Sequence, residues 1–224
     1  MKRVLTLTFA ILTLGVMAQN KKTVYYDSTG IETTRDGHWA QVISGRFKSI
    51  YSENENKMEL VRASTEEFES ALNKTESRIT KTNKLGTDFP EFDEIDINGN
   101  RLTKKKFNGK VLVINIWFIG CPPCEMERPA LNDLKKVYSD NKDVVFISFA
   151  AKNNKEQIVK YMQESPVSYN VVPMDKDFLK KFDIHEYPVN IIVDRYGKFQ
   201  YNSSGTGIGI SKILQREIDK ALKE

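Results

Sequence analysis

The chain has 224 residues, with 34 Lys and Arg against 30 Asp and Glu, two His and two Cys, and this balance argues against a nucleic-acid partner, which demands a concentrated basic face. The isoelectric point near 8.8 overstates the charge, because residues 1–18 hold Lys2 and Arg3 and no acid, leaving 32 basic against 30 acidic side chains after them. The remaining composition is that of an ordinary soluble globular protein, of a length for one large domain or two small ones.

Met1-Lys2-Arg3 is a basic start, Val4 to Val16 is largely apolar, and Val16-Met17-Ala18 precedes Gln19 with small or modest side chains. These are the parts of a secretory signal peptide, so residues 1–18 are expected to be cleaved and the mature chain to be periplasmic. The alternative is an uncleaved anchor, the one case in which the protein associates with a membrane. The thirteen apolar residues fall short of the roughly 20 that span a bilayer. No cysteine lies near the cut, which argues against a lipoprotein.

Between Val24 and Val61 the chain carries short alternating runs, VYY, HWAQVI, FKSIY and MELV, and Asp36-Gly37 between two of them predicts a hairpin turn. Ser64 followed by Glu67 reads as a capping box that opens a helix running to about Lys81. Residues 19–84 thus form a small β-rich module with a helical exit and no catalytic constellation. Lys104-Lys105-Lys106 reads as a solvated loop. From residue 85 to 224 strands and helices alternate. Residues 110–118 (KVLVINIWF) are a strand buried on both faces, a helix runs from Cys121 to about Tyr138, and Val144–Ala150 is a second buried strand. Lys155–Glu164 is helical, Val189–Val193 and Lys198–Tyr201 form an antiparallel hairpin, and Ser211–Lys223 is a closing helix. This order predicts a three-layer α/β domain. Gly205, Gly207 and Gly209 approach a dinucleotide fingerprint, but Ile210 stands where its third glycine belongs, and a flexible loop is expected instead.

Both cysteines lie in residues 117–129, WFIGCPPCEMERP. A zinc site needs about four ligands, and His38 and His185 are too far apart to pair. An iron–sulfur cluster needs four cysteines; haem attachment needs a histidine where Glu125 stands. A structural disulfide gains little from so short a loop. The reading left is a reversible dithiol–disulfide couple that needs no other cofactor. The attacking thiol must be ionised and exposed, with its resolving partner close by. If Cys121 caps the helix, Pro122 takes the first helical position at little cost and the Cys124 N–H points back at the Cys121 sulfur. With the helix dipole this lowers a thiol pKa from ~8.5 into the range of roughly 3.5–7.5.

Trp117, Cys121, Pro122, Pro123, Cys124, Glu127 and Pro129 match W-x-x-x-C-P-P-C-x-x-E-x-P. The lead-in Gly86, Phe89-Pro90, Phe92, Asn98-Gly99 and Phe107-Asn108-Gly109-Lys110 fits the same pattern. Residues 86–224 therefore resemble the exported TlpA/ResA-type thiol–disulfide oxidoreductases of the thioredoxin-like superfamily. The resemblance implies a thioredoxin-like fold, a central mixed β-sheet flanked by helices. It also implies that Pro129 kinks the active-site helix and that Pro188 is a cis-proline opposite the disulfide, presenting backbone with Tyr187 to the substrate. Trp117 is grouped with that docking surface, as packing near it rather than chemistry. Two positions depart from thioredoxin itself: Asn115 replaces a buried aspartate, and Gly120 replaces the tryptophan before the first cysteine. Glu127 is the acid the TlpA/ResA branch carries, on the same helical face as Cys124, and it is expected to exchange a proton with the resolving thiol. Glu125 is expected to be solvated.

The resemblance implies a reductase of protein disulfides fed by a membrane thiol donor. An oxidase or isomerase remains open, because direction follows from the relative stability of the two redox forms. Peroxidase activity is disfavoured by Phe118, where a peroxiredoxin has threonine. A binding or scaffold protein whose module at residues 19–84 does the main work is the alternative from another class.

Overall fold

The computed structural model describes residues 23–81, 84–174, 176–182, 184 and 186–224, with backbone alone at 80, 176 and 177; the expected signal peptide at 1–18 lies outside them. Among the described residues no helix is long and apolar enough to cross a membrane.

The chain opens with strands Val24–Tyr26 (β1) and Glu32–Thr33 (β2), then helix Arg35–Ile43 (α1) and strands Phe47–Ser52 (β3) and Lys57–Arg62 (β4). The strands form one sheet in the order β2-β1-β4-β3, in which β1 and β4 run parallel. The helix α1 replaces the hairpin expected at Asp36-Gly37. The Thr34 hydroxyl accepts from the Gly37 N–H at 3.0 Å, an N-cap that turns Asp36-Gly37 into the first turn of a helix. Trp39, Val42 and Ile43 then recur at the i, i+3, i+4 spacing of a helix face, and His38, Ala40, Val42 and Ile43 are buried. Helix Thr65–Arg78 (α2) follows with its capping box intact: Ser64 Oγ accepts from Glu67 N at 3.2 Å, and Glu67 Oε2 accepts from Ser64 N at 2.9 Å. It ends at Arg78 rather than Lys81, because Thr80–Lys81 (β5) joins the edge of the main sheet beside Ser203 and Ser204.

After the hairpin Asp93–Ile95 (β6) and Arg101–Thr103 (β7) come Val111–Trp117 (β8), Pro122–Val137 (α3), Val144–Ala150 (β9), Lys155–Glu164 (α4) and Asn170–Pro173 (β10). The chain closes with the short helix Lys176–Leu179 (α5), Val189–Val193 (β11), Phe199–Ser204 (β12) and Ile210–Ala221 (α6). Six strands make the central mixed sheet, ordered β10-β9-β8-β11-β12-β5. All seven residues of β8 are buried, as its near-continuous apolar run, broken only by Asn115, predicts. Alternate side chains point to opposite faces, so Val111 and Val113 pack with α3 and α6 while Leu112, Ile114 and Ile116 pack with Phe89, Phe92 and Phe178 on the other side. The active-site helix α3 leaves the sheet at the C-terminal end of this central strand.

The expected solvated lysine loop is a turn of 3-10 helix over Lys104–Phe107. Lys104 folds inward, donating to the Phe89 carbonyl at 2.7 Å. The glycine loop is a packed one. A Cβ on Gly207 would lie 2.6 Å from Thr75 Oγ1, and one on Gly209 would lie 2.7 Å from Leu72 Cδ1, so these glycines let α2 approach the loop. Gly209 also donates to the Ile43 carbonyl at 2.9 Å, and Thr75 Oγ1 donates to the Ile208 carbonyl at 2.9 Å. Ile43, Leu72 and Ile79 share one buried cluster with Val111, Val113 and α6. The N-terminal segment thus braces the α/β domain through core, edge strand and loop.

Candidate active site

Cys121 and Cys124 are joined in a disulfide at the start of α3, with Cα atoms 5.3 Å apart. Pro122 and Pro123 occupy the first two helical positions, where a missing N–H leaves no broken bond. Cys121 is the N-cap residue but makes no side-chain capping bond. Its sulfur is committed to Cys124, so the capping interaction expected of it is absent in this oxidised form. The expected exposure is absent too. Cys121 is 2% exposed and Cys124 4%, because Phe118, Ile119 and Tyr187 pack against their cluster. Pro129 lies inside α3, where its missing N–H leaves the Glu125 carbonyl without its helical donor. Glu125 is half-buried rather than solvated; its Oε1 accepts from the Gly120 N–H at 3.3 Å.

Trp117 is 2% exposed and its indole N–H donates to Ser148 Oγ at 2.6 Å. It therefore packs with the cysteines inside the protein and offers no face to a substrate, which corrects its grouping with the docking residues. The Tyr187–Pro188 peptide bond is cis, and Tyr187 stands edge-on to Phe118 at 5.1 Å between ring centres. The ammonium of Lys152 lies 4.3 Å from the Phe118 ring centre and 5.1 Å from that of Tyr187, which puts a cation at the rim of the site.

Behind the disulfide the sheet carries a polar row. Ser148, Asn115, Asn190 and Ser203 are direct cross-strand partners on β9, β8, β11 and β12, so their side chains share one face, and all four are buried. Glu127, on α3, lies against this row with no exposed surface. Asn115 Nδ2 donates to Glu127 Oε1 at 3.0 Å and to Asn190 Oδ1 at 2.9 Å; Asn190 Nδ2 reaches both carboxylate oxygens at 3.3 Å. The Thr206 hydroxyl is close enough to draw the carboxylate's pKa down, though without a hydrogen bond of good geometry. Burial is the largest influence and dominates, pushing Glu127 up to about 7 against Thr206, the two amides and the nearby Arg128 charge. The Arg128 guanidinium sits 5.3 Å from the Trp117 ring centre and 4.9 Å from that of Tyr161 and donates to the Tyr161 hydroxyl. A cavity of about 10 Å³ is bordered by Asn115, Trp117, Cys124 and Arg128, a size at the lower limit for one water.

Cys121, Cys124, Glu127, Tyr187 and Pro188 are thus assembled at one end of the sheet. Lys152, Asn190 and Thr206 were not legible in the sequence, since each reaches the site from a different element outside the motif, and Arg128 stands at a position of the motif that leaves its residue unspecified. Asn115 stood out as a departure from thioredoxin, but its role as donor to Glu127 needed the fold.

A family profile described as Redoxin matches residues 84–216. Thioredoxin-like protein YneN of Bacillus subtilis is 26% identical over 122 residues, which are 54% of this chain and 72% of that protein. Thiol-disulfide oxidoreductase ResA of Bacillus thuringiensis is 28% identical over 124 residues, 54% of this chain and 70% of that one. A thiol:disulfide interchange protein of Chlorobium tepidum matches in structure with a TM-score of 0.54 at 20% identity, over 61% of this chain and 96% of its own. Residues 23–81 lie outside the family match. Taken with the disulfide at the head of α3, these likenesses place the chain in the Redoxin family, as a thioredoxin-like thiol–disulfide oxidoreductase of the ResA type.

Proposed function

We propose that the protein is exported to the periplasm and reduces protein disulfides through the Cys121–Cys124 couple, without any further cofactor. The observation that carries this reading is Glu127, fully buried one turn behind the disulfide with its pKa pushed up to about 7. A group poised near neutrality suits proton transfer in both directions. In the reduced form the Cys121 thiolate, favoured by the N-terminus of α3, attacks one sulfur of the substrate disulfide. A mixed disulfide forms and the first substrate thiolate leaves. The Cys124 thiol gives its proton to the Glu127 carboxylate, and the Cys124 thiolate attacks Cys121 Sγ, forming the internal disulfide and releasing the second substrate thiolate. Glu127 then passes the proton to the departing second substrate thiolate, so the substrate gains two electrons and the protein loses two. Tyr187 and Pro188 hold the substrate backbone against the couple. Two electrons and one proton from a membrane dithiol donor restore the Cys121 thiolate and the Cys124 thiol, and the donor's second proton goes to solvent.

Cys121→Ser abolishes reduction of a peptide disulfide in this reading; residual turnover above one percent of the wild-type rate, on the order of what positioning alone leaves, contradicts it. Direction is read from the midpoint potential in a glutathione buffer. A value near about −270 mV supports the reductase, and one near about −120 mV assigns the protein to disulfide formation instead.

A further inference from the structure

A groove of about 380 Å³ runs between the N-terminal segment and the loop behind the cis-proline. One wall is α1 and α2, with Trp39, Lys74 and Arg78; the other is Glu186 and the loop 204–208. Glu186 immediately precedes Tyr187-Pro188, and the Gly205 N–H donates to the Pro188 carbonyl at 2.8 Å, so the far wall of the groove is tied to the cis-proline, whose neighbour Tyr187 packs against the cluster holding both cysteines. Lys74 and Arg78 are four residues apart on α2, hence on one face. Both are exposed, and neither has a carboxylate partner among the described residues. Trp39 is half-buried on α1, a flat apolar surface of the kind that anchors peptides.

We propose that this groove is a specificity site for the substrate polypeptide. It binds the extended segment next to the target cysteine, with an aromatic or aliphatic side chain on Trp39 and an acidic side chain at Lys74 and Arg78. Glu186, alone on the facing wall, repels a second acid and so directs the negative side chain toward α2. Three extended residues reach about 10 Å, which makes the segment within three residues of the target cysteine the one the groove reads. The N-terminal segment would in this way add selection to a domain whose thiol exchange is itself indifferent to sequence. The proposal rests on the reductase reading above.

The test compares three substrates: bis(2-hydroxyethyl) disulfide, too small to reach the groove, and the homodimeric disulfides of the heptapeptides EFGCGFE and KFGCGFK. The wild-type chain is expected to reduce the acidic peptide with a kcat/KM about tenfold above the basic one, the effect of ~1.4 kcal/mol of differential binding. The double variant Lys74→Glu, Arg78→Glu is expected to reverse that preference and to leave the small disulfide unchanged, since exposed helix substitutions barely affect folding. Equal rates on both peptides, a preference that survives the charge reversal, or a parallel loss on all three substrates overturns the groove alone. A wild-type chain that reduces none of the three brings down the reductase reading and the groove with it.

Discussion

Among the described residues two titratable side chains are exposed by 0%, Glu127 behind the disulfide and His38 in the N-terminal segment, and they are held in opposite ways. Both ring nitrogens of His38 are partnered at 2.7 Å, Nδ1 with the Tyr26 carbonyl and Nε2 with Ser49 Oγ. Each ring nitrogen thus has a partner, and the side chain ties β1 to β3 through α1. Glu127 receives amide donors from Asn115 and Asn190, yet burial still raises its pKa to about 7. Burial is therefore common to both and does not identify chemistry. A complete set of partners marks a structural group, while an unsettled proton beside a reactive pair marks a working one.

The largest expected effect tests the working side. Glu127→Gln keeps shape and removes the proton acceptor, so resolution of the mixed disulfide should slow by about 10²–10⁴-fold, the usual worth of a positioned acid or base. The measurement is single-turnover quenching with the mixed disulfide trapped and quantified. A change within threefold would make Glu127 as passive as His38.

The same residue links stability to pH. A carboxyl whose pKa is raised from 4.5 to about 7 in the folded state binds a proton more tightly there than when unfolded. Its contribution is complete below the unfolded value and is lost as pH rises through the folded one. Stability should accordingly fall by about 3 kcal/mol between pH 4 and pH 8 from this group. Urea titrations at the two pH values should show that slope in the wild-type protein and a flattened one in Glu127→Gln. An equal slope in both would move the pH dependence elsewhere.

His38→Ala should show the converse. It opens a cavity and leaves the Tyr26 carbonyl without its imidazole partner, a loss of about 2–4 kcal/mol, while turnover of bis(2-hydroxyethyl) disulfide per folded molecule stays at the wild-type level. A change in that turnover without loss of stability would give the histidine a role in the chemistry.

The sequence carried these two regions unequally. The α/β domain was legible because β8 and β9 are near-continuous apolar runs, each with a single polar residue, and because the CPPC turn, the helix behind it and Glu127 are contiguous in the chain. The polar row under Glu127 was not, since Asn115 and Asn190 are 75 residues apart and meet only through strand pairing. The strands β5 and β10 and the helix α5 were too short to leave a periodic signal. In the N-terminal segment Asp36-Gly37 looked like a hairpin turn, and the competing signal was Thr34 three residues before Gly37 with apolar residues at helical spacing after it. Capping won because α1 has a core to pack against, with Ile43 buried beside residues of α3 and α6.

The smallest expected effect concerns the seam between the two regions. Gly207 does not need a left-handed backbone; it needs room, because a methyl there would lie 2.6 Å from Thr75 Oγ1 and 2.8 Å from Thr75 Cγ2. Thr75 is buried and hydrogen-bonded to the Ile208 carbonyl, so it cannot swing aside freely. Gly207→Ala should cost about 1–2 kcal/mol through overpacking. Thr75→Ala removes both clashing atoms, at the price of its hydrogen bond. If the seam is closed by this contact, Gly207→Ala in the Thr75→Ala background should cost less than in the wild-type chain, with a coupling of about 1 kcal/mol between the two sites. Additive losses would mean that α2 yields to the loop, and the N-terminal segment would then rest on the domain rather than being locked to it.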